Sequence, residues 1–346
     1  MLPLRVGPRE RRRRLGGFLQ TLVLNHQQVI ALLPMQKCIE LMSDAFVSLA
    51  QGKVFQPLRT IIRPPGARGL LGLMPSYKSG ADAAFGIKVI TVFPDNPQQG
   101  KDAHQGAVLL FSPETGELLA LMNASAITAQ RTAAASAVAT NLLAREDASE
   151  LAIVGAGVQA RTHLRALACV RSLKRVRIAS RTVATARGMV EEMKAECNFE
   201  LDAVETVKEA VGGADIIVTA TSSQVPVIER EWISAGAHIN AIGTHSPASR
   251  EIDGATMAAS KIFVDRRESA VNESGDYILA QQEGLITSDS ILGEIGDLIT
   301  GAVTGRTDRN EITLFKSLGL AIEDVICANY LMKAAQEQRV GTSVEY

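Results

Sequence analysis

The sequence predicts an α/β fold built on a doubly wound parallel sheet, and two observations predict it. From Leu151 onward, short apolar β-branched runs alternate with helical patterns at the spacing of βαβ units, which join parallel strands through crossover helices. The first of those runs ends in Gly155-Ala156-Gly157-Val158-Gln159-Ala160, a G-x-G-x-x-A turn between a predicted strand and a predicted helix. At 346 residues the chain has the length of two ordinary domains.

The elements follow in order. Residues 1–20 read as a disordered basic tail, in which six arginines against Glu10 give a net +5 and leave −6 for the rest. Residues 34–49 have the periodicity of an amphipathic helix, with Pro34 near the start, where its missing N–H is harmless. Pro57, Pro64, Pro65, Gly66 and Gly69 break the next stretch into short segments. Residues 85–93 alternate as a strand, and 106–111 and 118–122 flank the turn Ser112-Pro113-Glu114-Thr115-Gly116-Glu117 as a hairpin. An Ala-rich helix over 127–144 leads to a charged linker, 145–150. Strands then fall at 151–154, 176–179, 201–204, 216–220, 238–242 and 261–264, with helices over 158–170, 183–196 and 207–211. Residues 312–335 read as one long closing helix.

Composition excludes several functions. Aromatic residues make up 4%, too few for stacking on single-stranded nucleic acid, and a net charge of −1 creates no global attraction to nucleic acid or membrane. No apolar run approaches the ~18 residues of a membrane span. Cys38, Cys169, Cys197 and Cys327 are scattered without a C-x-x-C, which fits a reducing cytoplasmic setting. His26, His104, His163, His238 and His245 lack metal-ligand spacing, so no metal is expected.

The glycine turn has a chemical reading. Gly155 permits the tight turn, Gly157 lets backbone approach a pyrophosphate, and Ala160 is small enough for helix–strand packing. Val158 and Gln159 open a helix whose free N–H groups and positive dipole end face the phosphates. This is a site for a nicotinamide dinucleotide. The next strand ends in Ser180-Arg181-Thr182 with no carboxylate for a ribose 2′-hydroxyl, whereas Arg181 and the two hydroxyls suit a 2′-phosphate. NADPH is therefore expected, with NADH possible; the alternative is that Arg181 is a solvated loop residue. Thr219, Ala220 and Thr221 are expected to wall the nicotinamide side.

Residues 22–336 resemble the ornithine cyclodeaminase/mu-crystallin family. The resemblance runs in order through Pro57-Leu58-Arg59-Thr60, Leu73-Met74-Pro75-Ser76, Gly86-Ile87-Lys88-Val89 and Ile127-Thr128-Ala129-Gln130-Arg131-Thr132, then Gly155 to Ala160. It continues in His238-Ile239-Asn240-Ala241-Ile242-Gly243, Glu273-Ser274-Gly275-Asp276 and Phe315-Lys316-Ser317-Leu318-Gly319. The resemblance implies a homodimer in which 21–144 and 316–346 form an α+β substrate-binding and dimerisation domain, with the Rossmann domain, 145–315, inserted between them. It also implies that Arg59, Lys88 and Arg131 hold a substrate carboxylate, with Met74 beside them, and that Thr132 and Ser317 touch the cofactor. A bidentate arginine suits that task, and three cations around one carboxylate are costly without an anion.

Departures from the cyclodeaminase pattern narrow the activity. His245 stands where those enzymes carry an aspartate, Gly72 where they carry a glutamate, and the cofactor strand ends without an acid. All three point to the NADPH-dependent ketimine reductase branch. The expected reaction is reduction of cyclic α-imino acids, Δ1-pyrroline-2-carboxylate to L-proline or Δ1-piperideine-2-carboxylate to L-pipecolate. Lys88, Arg131 and His245 are the catalytic candidates, His245 either as a proton donor or as a shape element. The rival readings are an ornithine cyclodeaminase, an alanine-type amino acid dehydrogenase, and a non-catalytic mu-crystallin-like protein that holds a ligand beside NADPH.

Overall fold

A computed structural model describes residues 20–345. The chain opens with β1 (Gln20–Leu24), α1 (His26–Leu32), α2 (Met35–Ala50), β2 (Val54–Phe55), β3 (Thr60–Ile62), β4 (Leu70–Lys78), β5 (Ala84–Val92), β6 (His104–Phe111), β7 (Leu118–Asn123) and α3 (Ala124–Leu143). It continues through β8 (Glu150–Val154), α4 (Val158–Ala168), β9 (Arg175–Ala179), α5 (Val183–Met193), β10 (Glu200–Ala203), α6 (Val207–Val211), β11 (Ile216–Thr219), β12 (His238–Ala241), α7 (Gly254–Ala259) and β13 (Ser260–Val264). The last elements are α8 (Arg267–Glu273), α9 (Gly275–Gln282), β14 (Ile291–Glu294), α10 (Ile295–Thr300), β15 (Ile312–Lys316), α11 (Ala321–Gln338) and β16 (Thr342–Glu345).

The strands form two eight-stranded sheets. One is mixed, in the order β16-β1-β7-β6-β5-β4-β2, with β3 also on β4. The other has the order β10-β9-β8-β11-β12-β15-β13-β14, and every pairing in it is parallel. The chain winds outward from β8 to β10, then crosses to β11, so the topological switch lies between β8 and β11. A parallel sheet is covered by helices on both faces, and β8, β11 and β12 are accordingly buried along almost their whole length, β8 and β11 by mostly apolar residues. The expected Rossmann architecture is thus present.

The two sheets are joined through α3. Asn123 caps this helix by accepting from the Ala126 amide at 2.9 Å. Its alanines let α2, α4 and α11 approach closely, and Asn240 on β12 donates to Thr140 of α3 at 3.0 Å. α11 packs across β4, β5 and β6 of the mixed sheet.

Two sequence expectations are corrected. Residues 312–335 are not one helix: Ile312–Lys316 is β15, paired on both sides in the middle of the parallel sheet. A short apolar run does not reveal by periodicity whether it is a buried strand or a buried helix. Gly319, with φ +76°, then breaks the chain before α11 begins. Residues 70–78 are also one long strand rather than broken segments. Pro75 is accommodated because β3 pairs only with Leu71–Leu73 and β2 only with Tyr77–Lys78, leaving a gap at the proline. The basic tail lies outside the described residues, except for Gln20, which opens β1 against β16.

Candidate active site

The crevice at the switch point is built by backbone. β8 runs into Gly155 at φ +119°, where a Cβ would stand 2.5 Å from the Ala220 carbonyl oxygen, so only glycine fits. Gly157 caps α4 with no side-chain partner for its first amides, and Val158 beside it is 60% exposed. The helix therefore presents free N–H groups to an anion. Across the crevice, the buried Glu251 carboxylate accepts from Thr219 Oγ1 at 2.9 Å and from Thr221 N, Thr221 Oγ1 and Gly243 N, each at 2.6 Å. It ties the C-terminal ends of β11 and β12 into one wall.

Residues expected at a dinucleotide fit such a ligand. The Ser317 hydroxyl and the Gln159 side-chain oxygen are buried without a hydrogen-bond partner among the described residues. Thr132 is buried on α3 next to Arg131. Ser180 donates to the Thr182 carbonyl at 2.8 Å, and Thr182 caps α5. Arg181 between them is exposed and makes no hydrogen bond or ion pair among the described residues.

A second group of residues gathers at the first turn of α11. Lys88 projects from the middle of β5, in register with the buried Met74 on β4, and its Nζ lies 2.8 Å from Asp324 Oδ2 and 3.4 Å from Thr128 Oγ1. Arg131 on α3 donates through Nε to Asp324 Oδ1 at 3.2 Å and through Nη1 to Glu323 Oε2 at 2.8 Å. Arg59 donates to Glu273 at 3.0 Å and to the carbonyls of Leu318 and Gly319 at 2.8 and 3.0 Å. Gly319 lies directly against the Arg131 guanidinium, so the loop after β15 holds Arg59 and Arg131 at the C-terminal edge of the parallel sheet, and Asp324 joins Lys88 to Arg131.

The sequence reading did not anticipate the acids. It expected a cation cluster awaiting an anion, whereas Glu273, Glu323 and Asp324 supply one from within the chain. Burying these charges unpaired would cost several kcal/mol each, and Glu323 and Asp324 also meet the positive end of the α11 dipole. In sequence they look like ordinary acids in a helix's first turn. Burial, then repulsion by Arg131, pushes the Lys88 ammonium down to about 8, against the pull of Asp324. Burial pushes Glu323 up to about 7, with Arg131 opposing and Asp265 and Asp324 assisting. Burial also disfavours charge on Arg131, but Asp324 and Glu323 outweigh it and keep the guanidinium ionised.

His245 reaches the same region by a different route. Lys316, at the end of β15, bonds to Asp276 Oδ2 and the Thr244 carbonyl at 2.8 and 2.9 Å. Asp276 also accepts from the Glu251 and Ile252 amides at 2.7 and 2.9 Å. This network fixes the loop that carries His245. The imidazole is reached by solvent, yet the protein packed around it, followed by Arg59, Lys316 and Arg131, holds it well below the usual histidine range. It is neutral at pH 7.

Residues 19–339 match the ornithine cyclodeaminase/mu-crystallin family. The chain belongs to this family. It is 40% identical to the mouse (Mus musculus) ketimine reductase mu-crystallin over 277 residues, 80% of this chain and 84% of the relative. The Δ1-pyrroline-2-carboxylate reductase of Thermococcus litoralis, solved with NADH and L-proline, superposes with a TM-score of 0.91 at 40% identity, covering 94% of this chain and 100% of that one. An archaeal alanine dehydrogenase dimer with bound NAD superposes with a TM-score of 0.89 at 32% identity, covering 95% and 100%. The neighbours of Gly72 on β4 are apolar: a Cβ there would pack 3.3 Å from Ile90 Cγ2 and 3.5 Å from Ile61 Cδ1.

Proposed function

We propose that the chain is an NAD(P)H-dependent reductase of cyclic α-imino acids, converting Δ1-pyrroline-2-carboxylate to L-proline and Δ1-piperideine-2-carboxylate to L-pipecolate. The observation that carries the reading is the Lys88–Asp324–Arg131 cluster, held beside Gly319 at the edge of the sheet that ends in the Gly155 crevice. The relative solved with NADH and L-proline supports it.

The dinucleotide, when bound, supplies a hydride. Gly155, Gly157, Val158 and Gln159 cradle its phosphates, Thr219 to Thr221 wall the nicotinamide end, and Thr132 and Ser317 contact it from the other side. Arg181 with Ser180 and Thr182 reads a 2′-phosphate, which favours NADPH. Arg131 and Arg59 fix the substrate carboxylate, with Met74 against the ring, so that the imine carbon is presented in one orientation. Lys88 holds a proton near the imine nitrogen, and a protonated imine is the better hydride acceptor. His245, neutral at pH 7, shapes the pocket and offers a hydrogen bond. The missing acids at Gly72 and His245 disfavour ornithine cyclisation.

Residues 21–144 with 316–346 form the substrate and dimerisation domain of this reading, and 145–315 the dinucleotide domain. The mixed sheet supports a homodimer. Tyr77, Phe85 and Phe111 align in register across β4, β5 and β6, with Phe85 47% exposed. The described cysteines are free, which suits a reducing cytoplasm. No helix among the described residues is long and apolar enough to cross a membrane.

The test is loss of NADPH absorbance on adding each cyclic imine, beside an assay for ammonia and proline with L-ornithine. Turnover of an imine is expected, without ammonia from ornithine. Cofactor binding without turnover of any imine would leave only a ligand-binding protein.

A further inference from the structure

Glu323 is a buried carboxyl whose Oε2 is bound by Arg131 and whose Oε1 has no hydrogen-bond partner among the described residues. Four charged groups face it: Arg131 on α3, Lys88 on β5, Asp324 on its own helix, and Asp265 from the turn after β13. Asp265 is itself occupied by the amides of Leu318, Gly319 and Arg266, so it offers Glu323 only a like charge. Arg131 uses Nε and Nη1 on these acids, and its Nη2 makes no hydrogen bond among the described residues.

We propose that Glu323 takes up a proton from solvent when the substrate carboxylate docks on Arg131, so that Glu323 is neutral in the complex. This rests on the substrate-binding role given above to Arg131. The charge count leads to it. With Glu323 ionised, Lys88 and Arg131 face Glu323, Asp324 and Asp265, and the cluster carries one net negative charge. An incoming carboxylate would then share one guanidinium with two protein carboxylates in a dry site, where like charges so close do not all stay ionised. With Glu323 protonated the cluster is neutral, so the substrate carboxylate no longer enters against a net negative charge. Oε1, which no hydrogen bond occupies among the described residues, is the oxygen left to carry that proton. Burial already brings the carboxyl to about 7, so the approach of an anion is enough to complete its protonation near neutral pH.

The sign follows from linkage. A group whose pKa rises on binding binds a proton with the ligand, so affinity is constant below the free-protein pKa and weakens above it, by about tenfold per pH unit. Lys88 contributes its own loss of charge near 8, and a Glu323→Gln variant keeps that contribution while removing the one proposed here.

The experiment is calorimetric titration of the full chain, saturated with oxidised dinucleotide, by pyrrole-2-carboxylate, a planar aromatic ring acid with no hydride for that dinucleotide to take. Buffers of different ionisation heat report the protons exchanged. The wild type is expected to take up protons at pH 7–8, with affinity falling as pH rises from about 7. Glu323→Gln should match it at about pH 6 and bind about tenfold more tightly at about pH 8, with less proton uptake. Binding by the wild type with no proton uptake overturns the inference without any variant, and so does an identical uptake by a folded Glu323→Gln. Absence of binding at every pH overturns the substrate reading and this inference together.

Discussion

Lys88 shows how a single side chain acquires its chemistry from its surroundings. A lysine in water stays charged far above neutrality, but burial and Arg131 bring this ammonium down to about 8, while Asp324 keeps it from falling further. It is charged below that pH and neutral above it. If Lys88 carries the proton that activates the imine, kcat/KM falls as pH rises through about 8. A pH–rate profile checks this, and a flat profile across that range would remove Lys88 from the proton path. Arg131→Ala should retain the fold in circular dichroism but lose on the order of 100-fold in kcat/KM, because a loosened carboxylate misplaces the reacting carbon. Arg181 is exposed and engaged with nothing among the described residues, so its loss should leave stability unchanged. Arg181→Ala should weaken NADPH by about 1.5–3 kcal/mol, the worth of hydrogen bonds to a charged group, and spare NADH. Fluorescence titration with both cofactors decides; equal losses would show that Arg181 does not read a 2′-phosphate.

At the scale of elements, the first turn of α11 organises the site. It crosses the mixed sheet and delivers Glu323 and Asp324 to cations on β5 and α3, so one helix end sets the position of residues far apart in sequence. Asp324→Ala leaves Lys88 and half of Arg131's contacts uncompensated in a dry interior. Removing one partner of a buried pair costs about 3–5 kcal/mol, a loss that urea denaturation should register. A loss under about 1 kcal/mol would mean that water reaches the cluster and screens its charges. Asn at the same position restores shape without charge and should recover part of the stability but little of the activity.

At the scale of the whole molecule, the mixed sheet has one face under α11 and another whose apolar stripe no element among the described residues covers. Tyr77 and Phe85 meet edge to face at 6.0 Å, and Phe85 and Phe111 lie 6.4 Å apart, so the stripe is continuous. Exposed apolar patches of this kind mark interfaces. Phe85→Asp places a charge at the centre of the stripe and should convert a dimer to monomer in sedimentation, without altering circular dichroism. A wild-type protein that sediments as a monomer at micromolar concentration would rule out the homodimer.

The parallel sheet was legible from residue 151 to 264 because its signals are local. Gly155-Ala156-Gly157 dictates a turn by sterics, and each strand between it and Val264 is bounded by its own turn residues. β15 was not legible, because Ile312-Thr313-Leu314-Phe315-Lys316 has no distinguishing period and becomes a strand only through its partners β12 and β13. The candidate cations Arg59, Lys88 and Arg131 stood out by their place in family motifs. Their partners did not: Arg131 and Asp324 are separated by 193 residues, and nothing near either one announces the other. The cations proposed to bear the chemistry were thus named from the chain alone, and the acids that hold them were not. The charge state of that cluster was decided only when folding removed water from around it and set acids from α11 against cations from β5 and α3, since electrostatic energies depend on distance and solvent access, neither of which a sequence contains.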